Sequence, residues 1–216
     1  MLKGKRLSIL GDSISTYVGY SNDEKANVST AYNKVFYKSS FPLEKTYWMR
    51  IISDLGMTLC VNNSWSGGNL SGNDDETSGI NRAVNLATNQ GEAPDLIIVF
   101  MGINDLGRNV APEIFAKDYE ETLKIIKGSY PQAAVCCVNI PDRDIYLKNR
   151  ATLFNEAIEN AAKKMGEKFF IADLFGSRLN GDFYYNNTLD GLHPDEDGMK
   201  IIAEIIEEAI KNYYNI

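Results

Sequence analysis

In the stretch Asp95-Leu-Ile-Ile-Val-Phe-Met101, six consecutive apolar residues follow Asp95. An apolar run of this length, without alternating polar residues, predicts a strand that is buried on both faces. Strands of this kind lie in parallel sheets, because the crossover connections between parallel strands place helices over both faces. We therefore expect residues 95–101 to form the central strand of a parallel sheet.

Strand-like and helix-like segments alternate on both sides of this run. Further strands are predicted at 6–10, 57–62, 133–140 and 168–172, and helices at 48–55, 80–88, 112–127, 145–165 and 195–213. The helix at 80–88 rests on a stripe formed by Ile80, Val84 and Ala87. Such alternation predicts an α/β fold with three α/β/α layers and a doubly wound parallel sheet of about five strands. Residues 1–216, 44% hydrophobic, suffice for one core and are predicted to form a single domain.

The composition excludes several classes of partner. The net charge is −7, and no clustered basic surface is evident, so nucleic acid and anionic membrane surfaces are not expected to bind. No stretch has the length of apolar sequence that a membrane span needs. Residues 1–6 lead directly into the first predicted strand and leave no room for a signal peptide, which predicts a cytoplasmic protein, or a secreted one if a leader was removed. The sequence does not determine the oligomeric state.

Three cysteines, Cys60, Cys136 and Cys137, lie in apolar, strand-like runs. Adjacent residues of a strand point to opposite faces, so Cys136 and Cys137 are poorly placed to form a bridge with each other. All three are predicted to be buried, reduced thiols.

Glycine and small polar residues follow three of the predicted strands. The first strand ends in Gly11-Asp-Ser13, the second in Asn62-Asn-Ser-Trp-Ser-Gly-Gly-Asn69, and the third in Gly102-Ile-Asn-Asp105. In an open parallel sheet, ligands bind outside the carboxyl ends of the strands. The three motifs are therefore expected at the same edge of the sheet.

His193 is the only histidine of the chain, and it follows Asp190 in the segment Thr188-Leu-Asp-Gly-Leu-His-Pro194. This segment precedes the last predicted helix, so it can return to the edge that carries the three motifs. A serine, an imidazole, a carboxylate and a set of N–H donors are what acyl transfer requires. Each motif alone also has a structural explanation, since turns and helix caps use the same residue types.

In this order, the segments resemble the SGNH hydrolases, also called GDSL-type esterases and lipases. Gly11-Asp-Ser-Ile14 resembles the first block of the family, with isoleucine in place of leucine, and Ser66-Gly67 resembles the glycine block. Gly102-Ile-Asn-Asp105 and Asp190-Gly-Leu-His193 match the two remaining blocks. The resemblance spans residues 11–193 and implies an SGNH, flavodoxin-like arrangement of the sheet.

The resemblance also implies a carboxylic ester hydrolase with a catalytic triad. Ser13 would be the nucleophile, His193 the general base, and Asp190 the carboxylate that orients the imidazole. The oxyanion hole would consist of the backbone amides of Ser13 and Gly67 and the side-chain amide of Asn104.

Gly67 and Gly68 are adjacent, and only one of their amides is expected to face the oxyanion; we favour Gly67. Asp12, Gly102 and Asp105 are expected to support the surrounding loops. No metal ion and no organic cofactor is required for this chemistry.

The substrate is less narrowly defined by the sequence. Residues 16–46 form a long segment without periodicity, rich in aromatic side chains that either pack the segment onto the body or form a platform for a sugar ring or acyl chain. We favour a short acyl group, such as acetyl, on a polar or carbohydrate alcohol, so that the substrate is a small-molecule or glycan ester. The alternatives are a lysophospholipase or thioesterase of the same family, and a non-catalytic module that binds a glycan or an anion on this fold.

Overall fold

The computed structural model describes residues 2–21, 32, 41–73, 75–142, 148–177, 179 and 181–216. Within these residues the strands are β1 (Arg6–Gly11), β2 (Thr58–Ser64), β3 (Leu96–Phe100), β4 (Ala134–Val138) and β5 (Phe169–Ala172). They form one parallel sheet in the order β2-β1-β3-β4-β5. This arrangement confirms the predicted doubly wound sheet.

Helices cover both faces of the sheet. In chain order they are α1 (Tyr47–Leu55), α2 (Gly79–Arg82), α3 (Ile103–Gly107), α4 (Pro112–Ser129), α5 (Lys148–Met165), α6 (Gly181–Asn186) and α7 (Glu196–Tyr214). Helix α1 packs against α7, whereas α4 packs against both α5 and α2. Among the helices of the described residues, none has the length and apolar character needed to cross a membrane.

Strand β3 lies in the middle of the sheet, as its apolar run predicts. Its residues are all buried, and Leu96, Ile97, Ile98 and Val99 have no exposed surface. Burying an aliphatic side chain of this size contributes about 1.5–3 kcal/mol to folding. The core therefore lies on both sides of β3.

The carboxyl ends of three neighbouring strands lie side by side. Gly11, the last residue of β1, pairs with Ser64 at the end of β2 and with Phe100 at the end of β3. The segments that follow these strands consequently begin at the same edge of the sheet. This edge carries the three motifs with glycine and small polar residues.

Local sequence signals account for the ends of several helices. Helix α1 ends at Leu55 and is capped by Gly56, which adopts a left-handed conformation with φ 65°. Helix α4 begins at Pro112, a residue that fits the first helical position because it has no N–H to satisfy. Asp195 caps α7, since its carboxylate accepts from the N–H groups of Asp197 and Gly198.

The helix predicted at 80–88 is wrong beyond Arg82, where α2 ends. The carbonyl oxygens of Arg82 and Asn85 accept hydrogen bonds from the Asn63 side chain, and the N–H of Leu86 donates to the Tyr130 hydroxyl. These side chains take the place of intrahelical hydrogen bonds. Val84, which the prediction assigned to the buried stripe, is 52% exposed.

Other differences are smaller. The short helices α3 and α6 lie in stretches for which the sequence predicts neither a helix nor a strand. Of the helix predicted at 145–165, residues 145–147 lie outside the described residues. Cys136 and Cys137 are buried free thiols as predicted, whereas Cys60 is partly exposed because β2 lies at the edge of the sheet.

Candidate active site

Ser13, His193 and Asp190 form a continuous chain of hydrogen bonds. Ser13 begins a 3-10 turn directly after β1, and its Oγ lies 2.9 Å from Nε2 of His193. The other imidazole nitrogen, Nδ1, lies 2.8 Å from Oδ2 of Asp190. Ser13 is buried and Asp190 is exposed, so the chain runs from the edge of the sheet towards solvent.

A tight turn positions Asp190 and His193. Oδ1 of Asp190 accepts hydrogen bonds from the N–H groups of Leu192, at 3.0 Å, and of His193, at 2.8 Å. Gly191 lies between Asp190 and Leu192 in the chain and adopts a left-handed conformation with φ 85°. Its N–H donates to the hydroxyl of Thr188. Because one carboxylate oxygen holds the backbone and the other faces the imidazole, the turn fixes the relative position of the two side chains.

Tyr32, which belongs to the irregular segment 16–46, packs on this turn. Its ring lies edge-on to the His193 ring, with centroids 6.3 Å apart, and its hydroxyl donates to the carbonyl oxygen of Pro194. Tyr32 is fully buried. The segment therefore contributes at least one side chain that confines the histidine.

The glycine loop, residues 65–69, follows β2 and lies beside Gly11. The N–H of Trp65 donates to the carbonyl oxygen of Gly11, and the N–H of Gly68 donates to that of Trp65. Gly67 adopts a left-handed conformation with φ 73°. Within the described part of the chain, the N–H groups of Ser13 and Gly67 donate to no protein acceptor, whereas that of Gly68 is already engaged. Of the two adjacent glycines, Gly67 is therefore the one whose amide can serve a ligand.

Asn104 lies at the start of α3, and its Nδ2 donates to the carbonyl oxygen of Gly68 at 3.0 Å. A carboxamide has two N–H groups, so a second donor is available to a bound group. Gly102 precedes this helix with φ 122°, and a Cβ there would lie 2.9 Å from Cδ1 of Ile140 and 3.0 Å from the Phe115 ring. Both the backbone conformation and the packing at this position require glycine.

Two aspartates support the loops around Ser13. Asp105 is fully buried and accepts hydrogen bonds from the N–H groups of Leu70, at 2.7 Å, and Ser71, at 2.9 Å, which fasten the chain after the glycine loop to α3. Burial raises the pKa of Asp105, and these two hydrogen bonds lower it in part. Asp12 accepts from the N–H of Ile14 and so stabilises the turn that carries Ser13.

Asp12 is itself buried, 1% exposed. Its burial raises the pKa of the carboxyl from 3.8 to about 7, although the hydrogen bond from Ile14 and the positive charge of Arg82 both lower it. A carboxyl of this kind is partly protonated at neutral pH.

Two arginines of the site are not indicated by the sequence motifs. The buried guanidinium of Arg82 donates to the carbonyl oxygens of Gly11, Asn63 and Thr77, and so ties the ends of β1 and β2 to the chain that follows the glycine loop. Arg108, which is exposed, donates from Nη1 to the carbonyl oxygen of Gly67 and to the side chain of Asn69. The spacing of Arg108, four residues after Asn104, could have indicated it, whereas nothing in the sequence distinguishes Arg82 from a solvated helix residue.

These groups together can transfer protons and bind a developing negative charge. An imidazole between a carboxylate and a serine hydroxyl can accept the hydroxyl proton, and neighbouring N–H groups can stabilise an oxyanion. Within the residues that the structure describes, no group of three or more histidine, cysteine, aspartate or glutamate side chains could hold a metal ion.

Comparison with solved structures shows the same fold in several proteins. A protein described as a GDSL-like lipase from Bacteroides ovatus matches with a TM-score of 0.73 and 21% identity over 97% of this chain and 99% of that chain. A family two carbohydrate esterase from Clostridium thermocellum, in complex with cellohexaose, matches with a TM-score of 0.73 and 16% identity over 100% of this chain and 66% of that chain. The psychrotrophic esterase EstA from Pseudoalteromonas sp. matches with a TM-score of 0.68 and 15% identity over 98% and 100% of the two chains.

Curated protein sequences give no match. The family model for GDSL-like lipases and acylhydrolases matches residues 5–210, which is nearly the whole chain. The chain therefore belongs to the GDSL-like lipase/acylhydrolase family.

Proposed function

We propose that this protein is a serine esterase that hydrolyses carboxylic esters through Ser13, His193 and Asp190. The observation that carries the proposal is the unbroken hydrogen-bond chain from Asp190 through His193 to the Ser13 hydroxyl. Membership of a hydrolase family and the esterases among proteins of the same fold support it.

The reaction follows from the position of each group. Ser13 Oγ attacks the ester carbonyl carbon, and its proton passes to Nε2 of His193. The tetrahedral intermediate then expels the alcohol, which takes the proton from the imidazolium and leaves an acyl group on Ser13. Water attacks the acyl-enzyme with His193 again as the base, and the carboxylic acid leaves as Ser13 regains its proton.

Negative charge forms on the carbonyl oxygen in both steps. The N–H groups of Ser13 and Gly67 and the second N–H of Asn104 are the donors proposed to bind it. Each such donor typically raises kcat by a factor of about 10²–10³, because it interacts more strongly with the oxyanion than with the ester carbonyl.

Asp190 holds the imidazole in the reactive tautomer. With its carboxylate facing Nδ1, the proton lies on Nδ1, and Nε2 is left as an acceptor for the Ser13 hydroxyl. The same carboxylate stabilises the imidazolium that forms after proton transfer.

For the substrate we propose a short acyl group on a polar or carbohydrate alcohol. The carbohydrate esterase in complex with cellohexaose, which shares this fold, supports a glycan alcohol. The aromatic side chains of the segment 16–46 give less support, because Tyr17, Tyr32 and Phe41 are buried and pack the segment onto the body. Tyr20, beside Trp48, is 43% exposed, and Phe36 and Tyr37 lie outside the described residues.

The test is hydrolysis of p-nitrophenyl acetate, butyrate and octanoate by the wild type and the Ser13→Ala variant. A matched control is Ser53→Ala, since Ser53 is an exposed serine on α1. We expect turnover that is highest for acetate, absent in Ser13→Ala and unchanged in Ser53→Ala. A rate that peaks at octanoate would contradict the short acyl group.

Labelling with a serine-reactive organophosphonate separates an esterase from a binding module. We expect labelling of Ser13 that is lost in the His193→Ala variant, because an activated nucleophile needs its base. A correctly folded protein that neither hydrolyses any of the esters nor reacts with the phosphonate would instead be a non-catalytic module.

A further inference from the structure

Two side chains hold the glycine loop, those of Asn104 in α3 and of Arg108, the residue that caps this helix. They lie four residues apart, and the N–H of Arg108 donates to the carbonyl oxygen of Asn104, so both side chains project from the same side of the helix. Asn104 binds the carbonyl oxygen of Gly68 at 3.0 Å, and Arg108 binds the carbonyl oxygen of Gly67 at 2.6 Å and Oδ1 of Asn69 at 2.7 Å. Three consecutive residues of the loop are thus fastened to the helix that carries Asn104.

The guanidinium also lies directly against Gly67. A Cβ added to this glycine would be 3.3 Å from Nη2 of Arg108, so a side chain at this position would be in tight contact with the guanidinium. Glycine tolerates many backbone conformations at little cost, so Gly67 does not by itself fix the direction of its N–H. A charged donor on its carbonyl oxygen fixes the peptide group that follows Gly67 and so restricts the backbone of this residue, since charge-assisted hydrogen bonds are roughly twice as strong as neutral ones.

Orientation matters here because oxyanion donors act only when they are fixed before the reaction. We propose that Arg108 is a positioning residue, which holds the amide of Gly67 towards the oxyanion and couples it to Asn104. This inference rests on the proposed esterase function. Arg108 is exposed, and hydrogen bonds of exposed charged side chains contribute little to folding stability, so its effect is expected on turnover rather than on stability.

The experiment compares the wild type with Arg108→Gln, Arg108→Lys and Asn69→Ala, using p-nitrophenyl acetate and active-site concentrations titrated with the organophosphonate. The control is Arg6→Gln. Arg6 is also an arginine that donates to a backbone carbonyl, that of Ala93, but it lies at the amino end of β1, away from the carboxyl ends that carry the site. We expect kcat to fall about tenfold in Arg108→Gln, with KM changed less than twofold and the melting temperature little changed. Arg108→Lys keeps a charged donor, so its kcat is expected to lie between those of Arg108→Gln and the wild type. In Asn69→Ala we expect kcat to fall two- to threefold, and in Arg6→Gln we expect the wild-type kcat.

Three results would overturn the inference. If kcat of Arg108→Gln stays within twofold of the wild type while Ser13→Ala is inactive, Arg108 does not position the oxyanion hole, and the esterase function stands. If KM rises and kcat is unchanged, Arg108 binds substrate instead. If the wild type has no Ser13-dependent turnover or labelling, the esterase function and the role of Arg108 fail together.

Discussion

Replacing Asp190 by asparagine tests how the turn around His193 sets the state of the imidazole. Oδ1 of Asp190 accepts from two backbone N–H groups, those of Leu192 and His193. In the Asp190→Asn variant the amide oxygen has to take this position, since an NH₂ group cannot accept these hydrogen bonds. The NH₂ group is therefore directed at Nδ1 of His193, which must become an acceptor.

The proton then moves to Nε2, the nitrogen that faces Ser13, and the imidazole can no longer act as its base. An exchange of tautomer of this kind lowers kcat by about 10⁴ in a serine protease, which corresponds to about 5.4 kcal/mol of transition-state stabilisation. We expect a loss of the same order here. Asp190→Ala is expected to lose less, because the Asp190 side chain is 38% exposed and water can approach Nδ1 once it is removed.

The assay is kcat for p-nitrophenyl acetate at pH 7 and above, with circular dichroism and melting temperature to show that both variants fold. The reasoning predicts the order wild type, Asp190→Ala, Asp190→Asn, from most to least active. An Asp190→Asn variant that keeps more than a tenth of the wild-type kcat would refute it, and so would equal losses in the two variants.

Two further predictions concern Asn104 and Asp12. Asn104→Ala is expected to lower kcat by about 10²–10³ with KM little changed, and an unchanged kcat in steady-state kinetics would exclude Asn104 from the oxyanion hole. Because the pKa of Asp12 is raised from 3.8 to about 7 in the folded state, folding binds a proton there, and the resulting stability is present below pH 4 and is lost as the pH rises towards 7. Urea unfolding at pH 5 and pH 8 should show a smaller loss of stability with rising pH in Asp12→Asn than in the wild type, by up to roughly 2.5 kcal/mol. An equal loss in both proteins would contradict the buried, protonated carboxyl.

The order and type of most elements follow from the pattern of apolar residues. The run at 96–101 predicts the central strand, because only a strand covered on both faces is apolar at every position. Sequence motifs at the ends of β1, β2 and β3 could be expected to meet, since parallel strands end at one edge, and the structure brings Ser13, Asp190 and His193 into hydrogen-bond contact. That residues 1–216 form one domain stays a prediction.

What the sequence does not predict depends on long-range contacts. Periodicity places Val84 on a buried helical stripe, but side chains distant in sequence, those of Asn63 and Tyr130, bind the backbone around it and end the helix. The same holds for Arg82, whose partners Gly11 and Asn63 come from two separate strands. Helical spacing and motif order carry no information about such contacts.

The separation of 180 positions along the chain between Ser13 and His193 also bears on how the proposed activity is gained and lost. During synthesis, the Ser13 hydroxyl emerges with the first strand, whereas His193 emerges after all five strands, so the proposed mechanism predicts that a chain lacking the last segment cannot cleave an ester. Local opening of the turn that holds Asp190 and His193 would abolish the proposed activity while the sheet remains intact, because segments of a protein can unfold separately at a fraction of the total free energy. The proposed ester hydrolysis is therefore expected to be a more sensitive measure of the native state than the content of secondary structure.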